Sequence, residues 1–333
     1  MQDKATLLAE LQETKGLIEV NKLISSCFES EAEQLSQIAE YLFALRGKQI
    51  RPILTLMTAK AAGLQDLPED LIKISAGIEL IHLATILHDD IIDNSDLRRN
   101  KESANKKYGV NPTLLTGDFL LVRAFGLCGQ LSPAIVAATE QACVELTEGE
   151  VLEAPLYQES ESRPFDLNFA LMIARKKTAA LFRLAAFCAA NIAGCNQQQQ
   201  LQFAKFGEDI GIAFQILDDI LDVSADQQRF GKKIGTDIRE QKPSTVNLLW
   251  LATGKPESLR LCDAKPLTDQ EVAQQVELIK SSDVLKQAQN LATAYADQAM
   301  ESLNAATEDL PNSCKKSLGL LKSLIEFTIL RSK

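Results

Sequence analysis

The chain is predicted to be all-α on two observations. Its composition leans toward helix formers, with Ala, Leu, Ile and Gln abundant and aromatics at 5% of a chain that is 46% hydrophobic. Its apolar residues recur at three- and four-residue steps, without the strict alternation of a half-buried strand. No Pro/Gly/Ser-rich linker or charge block divides the 333 residues, and nothing repeats with a solenoid period, so 1–333 reads as a single domain.

The elements follow in order. Between Leu7 and Leu45 the spacing is helical, and Gly47 ends it. Pro52 suits the first turn of a helix running through Ile53, Leu56 and Ala59 to Gly63, because that turn does not need the missing N–H. Gly47-Lys48-Gln49-Ile50-Arg51-Pro52 therefore stands at a helix start, where exposed backbone N–H groups favour anions. Residues 68–93 read as one buried helix, apolar on nearly all sides until His88. Residues 94–108, rich in Arg, Lys and Asn, read as a flexible connection to a helix over 112–131. Further helices are expected over 132–152, 167–193 and 197–223, the last with a core stripe of Phe203, Phe206, Ile210, Phe214, Leu217 and Leu221. A polar loop over 224–243 holds Lys232, Lys233, Gly235, Asp237 and Lys242. Helices over 246–252, 269–280, 282–306 and 311–330 complete the bundle.

Several classes are excluded on composition. A formal net charge of −10 argues against a general nucleic-acid binder, which needs a basic surface to neutralise phosphates. Seven scattered cysteines without a Cys-x-x-Cys pair read as buried free thiols. The N-terminal residues lack the apolar core of a signal peptide, and no stretch reaches about 18 uninterrupted apolar residues. A soluble, cytoplasmic protein without a membrane span is the expectation.

The chemistry lies in an acidic word that occurs twice, Asp89-Asp90-Ile91-Ile92-Asp93 and Asp218-Asp219-Ile220-Leu221-Asp222. On a helix the first and last aspartates of each word are i and i+4, so they share a face and can share a divalent ion. Carboxylates packed beside apolar residues repel one another and are costly to desolvate without a cation, and at a helix C-terminus they also oppose the helix dipole. Oxygen donors without His or Cys fit magnesium better than zinc, and magnesium is commonly shared between carboxylates and a substrate phosphate. Around the words lie Lys48, Arg51, Arg98, Arg99, Lys176, Lys177, Lys232 and Lys242. Acid, metal and base together describe a pyrophosphate site. Of the two histidines, His88 reads as a core histidine bonded to a carboxylate. His82 lies about two turns before Asp89, within reach of a second diphosphate.

Five motifs stand in order: Gly47 to Pro52; His88 to Asp93 with Arg98-Arg99; Gly149-Glu150; Lys177-Thr178; and Phe214-Gln215-Ile216-Leu217-Asp218-Asp219-Ile220-Leu221-Asp222. Together they resemble the trans-prenyl diphosphate synthases. The resemblance implies an isoprenoid-synthase helical bundle whose two acidic words face a central cavity. It implies magnesium, three ions per site, held by Asp89, Asp93 and Asp218, with Asp90, Asp219 and Asp222 in the first or second shell. Arg98, Lys177, Thr178, Gln215 and Lys232 would bind the allylic diphosphate with help from Lys242, and Lys48, Arg51, His82 and Arg99 would hold isopentenyl diphosphate. The residues implied as catalytic are Asp89, Asp93, Lys177, Asp218 and Lys232. Homodimerisation and a long product that brings the chain near membranes are further implications. Many members continue Arg-Arg with Gly-x-Pro-Thr, where this chain has Asn100-Lys101-Glu102-Ser103.

Product length is implied by the residues four and five before the first aspartate, Thr85 and Ala84. In the family bulky aromatics there stop elongation early, and small residues let the tunnel continue. With the segments Gly149 to Glu153 and Ser103 to Asn105, the pattern resembles the octaprenyl members, with Phe119 and Phe125 as candidates for the tunnel floor. The alternatives are a short-chain synthase making farnesyl or geranylgeranyl diphosphate, a terpene cyclase, whose second metal motif usually mixes Asn, Ser or Thr with Glu, and a noncatalytic subunit, which typically loses its acidic words.

Overall fold

Helix-forming sequence is realised through most of the residues that the computed structural model describes, 14–158, 165–224, 234–308, 310 and 315–330. In chain order these form α1 (Leu17–Ser26), α2 (Glu33–Ala44), α3 (Ile50–Ala61), α4 (Glu69–Ile92), the antiparallel strands β1 (Leu97–Arg98) and β2 (Lys101–Glu102), α5 (Ala104–Tyr108), α6 (Val110–Cys128) and α7 (Pro133–Leu152). A single 3-10 turn at Leu156–Gln158 precedes α8 (Leu167–Ile173), a π-helical turn at Ala174–Ala179, α9 (Ala180–Ile192) and α10 (Gln197–Ser224). Then come α11 (Thr236–Arg239), α12 (Thr245–Leu251), α13 (Pro256–Leu259), a 3-10 turn at Arg260–Cys262, α14 (Asp269–Lys280), α15 (Val284–Thr307) and α16 (Lys315–Leu330).

The described residues fall into two compact units, one drawn from Met1–Gln141, Leu181–Ala204 and Ser302–Ser323, the other from Ala142–Ala180, Lys205–Glu301 and Leu324–Lys333. The first unit is organised around α4, which packs along α6. α4 is apolar on nearly every side, with Leu71, Ile74, Ile78, Ile81, Ala84 and Leu87 all fully buried. By length and composition α4 could cross a membrane, at a mean hydropathy of 1.4, yet 67% of that window is buried within the chain. Two glycines let the helices close: a Cβ at Gly77 would meet Cys128 Sγ at 2.5 Å, and one at Gly117 would meet His88 Nε2 at 2.2 Å. The other helices of the unit add amphipathic stripes such as Leu17, Val20 and Ile24 of α1.

The second unit has its own core, in which Ile212, Ile216, Leu217 and Ile220 of α10 meet Phe169 and Ile173 of α8, Trp250 of α12, and Val272, Val276 and Ile279 of α14. The buried Trp250 and Gln275 side chains are paired: Trp250 Nε1 donates to Gln275 Oε1 at 2.6 Å, and Gln275 Nε2 donates to the Glu257 carbonyl at 2.6 Å. Short helices are fixed at their starts by side chains, Asp166 for α8, Ser244 for α12 and a Thr268/Glu271 capping box for α14.

Several elements differ from the sequence reading, among them the expected helix 167–193, which the π-helical turn at Ala174–Ala179 divides. Helix 7–45 is broken after Ser26, and residues 7–13 lie outside the description. The connection 94–108 is a hairpin and a helix, because Arg99 and Asn100 both adopt positive φ (50° and 63°), the pattern of a type I′ turn. The polar loop 224–243 contains α11, started by Gly235 in the left-handed region, and α13 was not anticipated. In the expected stripe of α10, Phe203, Phe206, Ile210, Leu217 and Leu221 are buried, whereas Phe214 is partly exposed. Of the described cysteines, Cys27, Cys128 and Cys188 are buried, Cys143, Cys195 and Cys262 are partly buried, and all are free thiols; Cys314 lies outside the description.

Candidate active site

In the first unit α4 delivers its acidic word at its C-terminal end, with Asp93 as the cap and its N–H donating to the Asp89 carbonyl at 2.8 Å. Asp89 and Asp93 are partly exposed, one turn apart. Asp90 points inward at 4% exposure, and its Oδ1 accepts from Arg98 Nη1 at 3.1 Å. Its carbonyl accepts from Ser95 N at 2.9 Å and Asn105 Nδ2 at 3.0 Å. Asp90 thus ties the word to the ribbon that follows it.

That ribbon presents Arg98 and Arg99. The Arg99 guanidinium lies so close to Gly47 that a Cβ there would meet Nη2 at 2.2 Å, which places it beside the loop that leads to Lys48 and Arg51. α3 starts from Gln49, held at φ 50° by a bond from its Nε2 to Asn21 Oδ1 of 2.7 Å, and the Arg51 guanidinium stacks 5.1 Å from the Phe182 ring. His82 is desolvated and faced by Arg51, Arg98 and Arg99, which together hold its pKa well below the ordinary value. It is therefore a neutral imidazole at physiological pH. Arg51, Arg98 and Arg99 thus lie within electrostatic reach of His82. His88 lies 3.3 Å from the Leu114 carbonyl and 3.5 Å from Asp118 Oδ1, in the manner of a packing histidine.

Glu79 is the charged residue that sequence reasoning missed here. It is 3% exposed, and its Oε2 accepts no hydrogen bond from a described residue. Desolvation pushes its pKa up to about 7, even though Arg51, Arg46 and Arg99 oppose the rise. The available signal was one turn of spacing, since Glu79 stands three residues before His82 in an otherwise apolar helix.

In the second unit the π-helical turn presents Lys176, Lys177 and Thr178, as such turns often do at working sites. Lys176 pairs with Glu148. Lys177 Nζ lies 2.6 Å from Glu150 and 2.5 Å from Glu153, and Lys242 Nζ lies 2.9 Å from Glu240 and 3.6 Å from Glu153. Gly149 permits this, because a Cβ on it would meet Lys177 N at 2.7 Å. Thr178 Oγ1 donates to Gln215 Oε1 at 2.5 Å, and Gln215 Nε2 donates to Asp219 Oδ1 at 2.8 Å. The chain of bonds ends at Thr245 N, which donates to Asp219 Oδ2 at 2.8 Å.

The second word is held in the same fashion as the first. Asp219 is buried at 4% exposure, and Asp222 accepts the N–H groups of Thr236 and Asp237, each at 3.1 Å. Desolvation raises the Asp219 pKa to about 7, against the Gln215 and Thr245 bonds, and Asp218 pushes it further the same way. Asp237, missed by sequence reasoning because its polar stretch read as loop, is raised well above the ordinary range by desolvation and by Asp222, Asp219 and Glu153, with Lys242 opposing. So many carboxylates facing one another fit a divalent cation, which would let them all ionise. Among the described residues no three His, Cys, Asp or Glu side chains converge into a ready-made cage.

The remaining candidates are placed as follows. Lys232 lies outside the described residues. Ala84 is fully buried in α4, while Thr85 is partly exposed and its Oγ1 donates to the His82 carbonyl at 2.9 Å. Phe125, a candidate tunnel floor, is 45% exposed, and Phe119 carries the Arg123 guanidinium 5.0 Å from its ring centre. The ribbon also accounts for the departure at Asn100: a left-handed turn position takes Asn as well as the more usual Gly.

Comparison with known proteins agrees with this chemistry. The profile of the polyprenyl synthetase family matches residues 32–280. The chain is 35% identical over 243 residues to octaprenyl diphosphate synthase of Escherichia coli K12, covering 73% of this chain and 74% of that one. It is 32% identical over 329 residues to geranylgeranyl diphosphate synthase of Sulfolobus acidocaldarius, covering 94% and 96%. Among solved structures it resembles a polyprenyl synthase from Caulobacter crescentus, complexed with calcium and isoprenyl diphosphate, at TM-score 0.85 and 33% identity over 98% of both chains.

Proposed function

The chain belongs to the polyprenyl synthetase family and is a prenyltransferase, and from that premise we propose that it condenses isopentenyl diphosphate repeatedly onto an allylic diphosphate such as farnesyl diphosphate, giving a trans product near C40. The observation that carries the reading is the crowding of carboxylates at Asp219, Asp222, Asp237 and Glu153, which calls for a cation beside the ammonium groups of Lys177 and Lys242. Asp89, Asp93 and Asp218 are the first ligands in this proposal, and Asp90, Asp219 and Asp222 orient them. Magnesium, three ions per site, would supply Lewis-acid stabilisation of the departing diphosphate.

The residues of the chain do the rest. Arg98, Lys177, Thr178, Gln215 and Lys242, with Lys232, bind the allylic diphosphate, and Lys177 exchanges its glutamate partners for phosphate oxygens when substrate arrives. Lys48, Arg51, Arg99 and the neutral His82 hold isopentenyl diphosphate. Positive groups aimed at the leaving diphosphate lower the barrier to ionisation of the allylic C–O bond. The isopentenyl double bond attacks the resulting cation, and the released diphosphate takes the proton that is lost.

Small side chains at Ala84 and Thr85 support the long product. The Sulfolobus relative is a geranylgeranyl diphosphate synthase aligned over nearly its whole length, which keeps a C20 product as the second reading. Purified protein with magnesium, farnesyl diphosphate and labelled isopentenyl diphosphate, resolved by chromatography, separates the two. A product near C40 is expected, C20 supports the second reading, and no incorporation with any allylic primer removes both. Ala84→Phe is expected to shorten the product while a single condensation survives. An unchanged length refutes the assignment of Ala84.

We also propose a homodimer through the outer face of α6, where Val110, Leu114, Leu115, Val122 and Phe125 are 43–66% exposed.

A further inference from the structure

A ribbon with two residues per strand cannot hold itself in water, so what fastens β1 and β2 decides where Arg98 and Arg99 stand. Arg98 has a fastening of its own, the 3.1 Å bond to Asp90. No such bond is seen for Arg99 among the described residues, where the charge that attracts it is the buried Glu79 carboxylate. The Arg99 backbone sits in the left-handed region at φ 50°, a conformation that costs a residue with a Cβ on the order of 1 kcal/mol and persists only when its surroundings impose it.

One contact that anchors the ribbon comes from α2. Tyr41 Oη donates to the Glu102 carbonyl of β2 at 2.8 Å, across 61 residues of sequence. The Tyr41 ring is itself gripped. Lys107 Nζ lies 3.8 Å from its centre and 5.0 Å from that of Tyr108, and the two rings meet edge to face at 5.6 Å. On the far side of the turn Ser103 Oγ donates to the Ser95 carbonyl at 2.5 Å. The ribbon is thus clasped at the root of β2, opposite the strand that bears Arg98, with Arg99 at the turn between them.

We propose that Tyr41 is a positioning residue for isopentenyl diphosphate: its hydroxyl latches β2 to α2 and so holds the Arg99 guanidinium against Gly47, beside Arg51. The proposal rests on the reading of Arg99 as a ligand of that diphosphate. It predicts a split between the two substrates, because Arg98, tied directly to Asp90, does not depend on the latch.

Tyr41→Phe keeps the ring and its contacts with Lys107 and Tyr108 and removes one hydrogen bond. It is expected to raise KM for isopentenyl diphosphate about five-fold, while kcat and KM for the allylic primer change less than about two-fold. In the Arg99→Gln background, which itself raises that KM, Tyr41→Phe is expected to add nothing, since its effect runs through Arg99. An unchanged KM in Tyr41→Phe, or an equal increment in both backgrounds, overturns the latch. An unchanged KM in Arg99→Gln alone overturns the assignment of Arg99 itself, and the latch's role with it.

Discussion

Glu79 is a negative charge buried where substrate phosphate is proposed to bind, and its protonation links stability to pH. Its pKa in the fold, about 7, lies above the ordinary carboxylate value. A group raised in this way contributes stability that is fully present below the unfolded pKa and lost as pH rises through the folded one, here between about 4 and 7. The size is on the order of 3 kcal/mol at most, each pKa unit being ~1.4 kcal/mol. Glu79→Gln mimics the protonated form. Thermal melts of protein without substrate are expected to show the wild type losing stability relative to Glu79→Gln as pH rises from 5 to 8, and parallel curves would contradict it. The two aspartates at the start of the second word should also part company. Asp219→Asn turns one acceptor into a donor facing either Thr245 N or Gln215, and is expected to cost about 2 kcal/mol of stability by denaturant titration. Asp218→Asn is expected to fold normally and to lose roughly 100-fold in kcat. The spacing of the aspartates is legible in the sequence because i and i+4 is a rule of helices. Glu79 and Asp237 are not, because what makes them unusual is desolvation by residues distant in the chain.

At the scale of elements, the π-helical turn at Ala174–Ala179 and the helix α7 that crosses it form one device. The turn carries Lys177 and Thr178, α7 carries Gly149 and Glu150, and Glu153 follows directly after it, so the backbone approach at Gly149 sets the distance from Lys177 to its two glutamates. Gly149→Ala would drive a methyl group into Lys177 N. The expected outcome is a loss of about 1–3 kcal/mol of stability and a fall in affinity for the allylic diphosphate, read by melting and by KM. Unchanged KM would mean that the turn does not depend on α7. The helices themselves were legible from period alone, α4 and α10 most clearly, as long runs of apolar residues. The π turn was not, since it differs from an α-helix by one residue per turn and leaves the apolar spacing almost untouched. The ribbon was hidden for another reason: its strands are too short to show alternation, and its turn uses Arg-Asn where the usual signal is Asn-Gly.

For the whole molecule, α6 poses a question that the single chain does not answer. One face, Thr113, Thr116, Gly117, Leu120, Ala124 and Cys128, is buried, and the other carries Val110, Leu114, Leu115, Val122 and Phe125 in the open. That outer face also bears Asp118, with its side chain 60% exposed, yet five large apolar side chains exposed on one helix face mark a contact surface. A second copy of the chain is a self-complementary cover for such a face, because a two-fold axis brings the same residues together from each side. Sedimentation of the wild type at micromolar concentration is expected to give a dimer. Val122→Glu, at the most exposed apolar position of the helix, places a charge in the middle of that contact and is expected to weaken the dimer by at least roughly ten-fold while helix content by circular dichroism stays the same. A wild type that sediments as a monomer, or a Val122→Glu dimer of undiminished strength, would move the partner surface away from α6. The outcome also bears on Phe125, whose side chain becomes buried only if this face is covered, and so on whether it can bound the product at all.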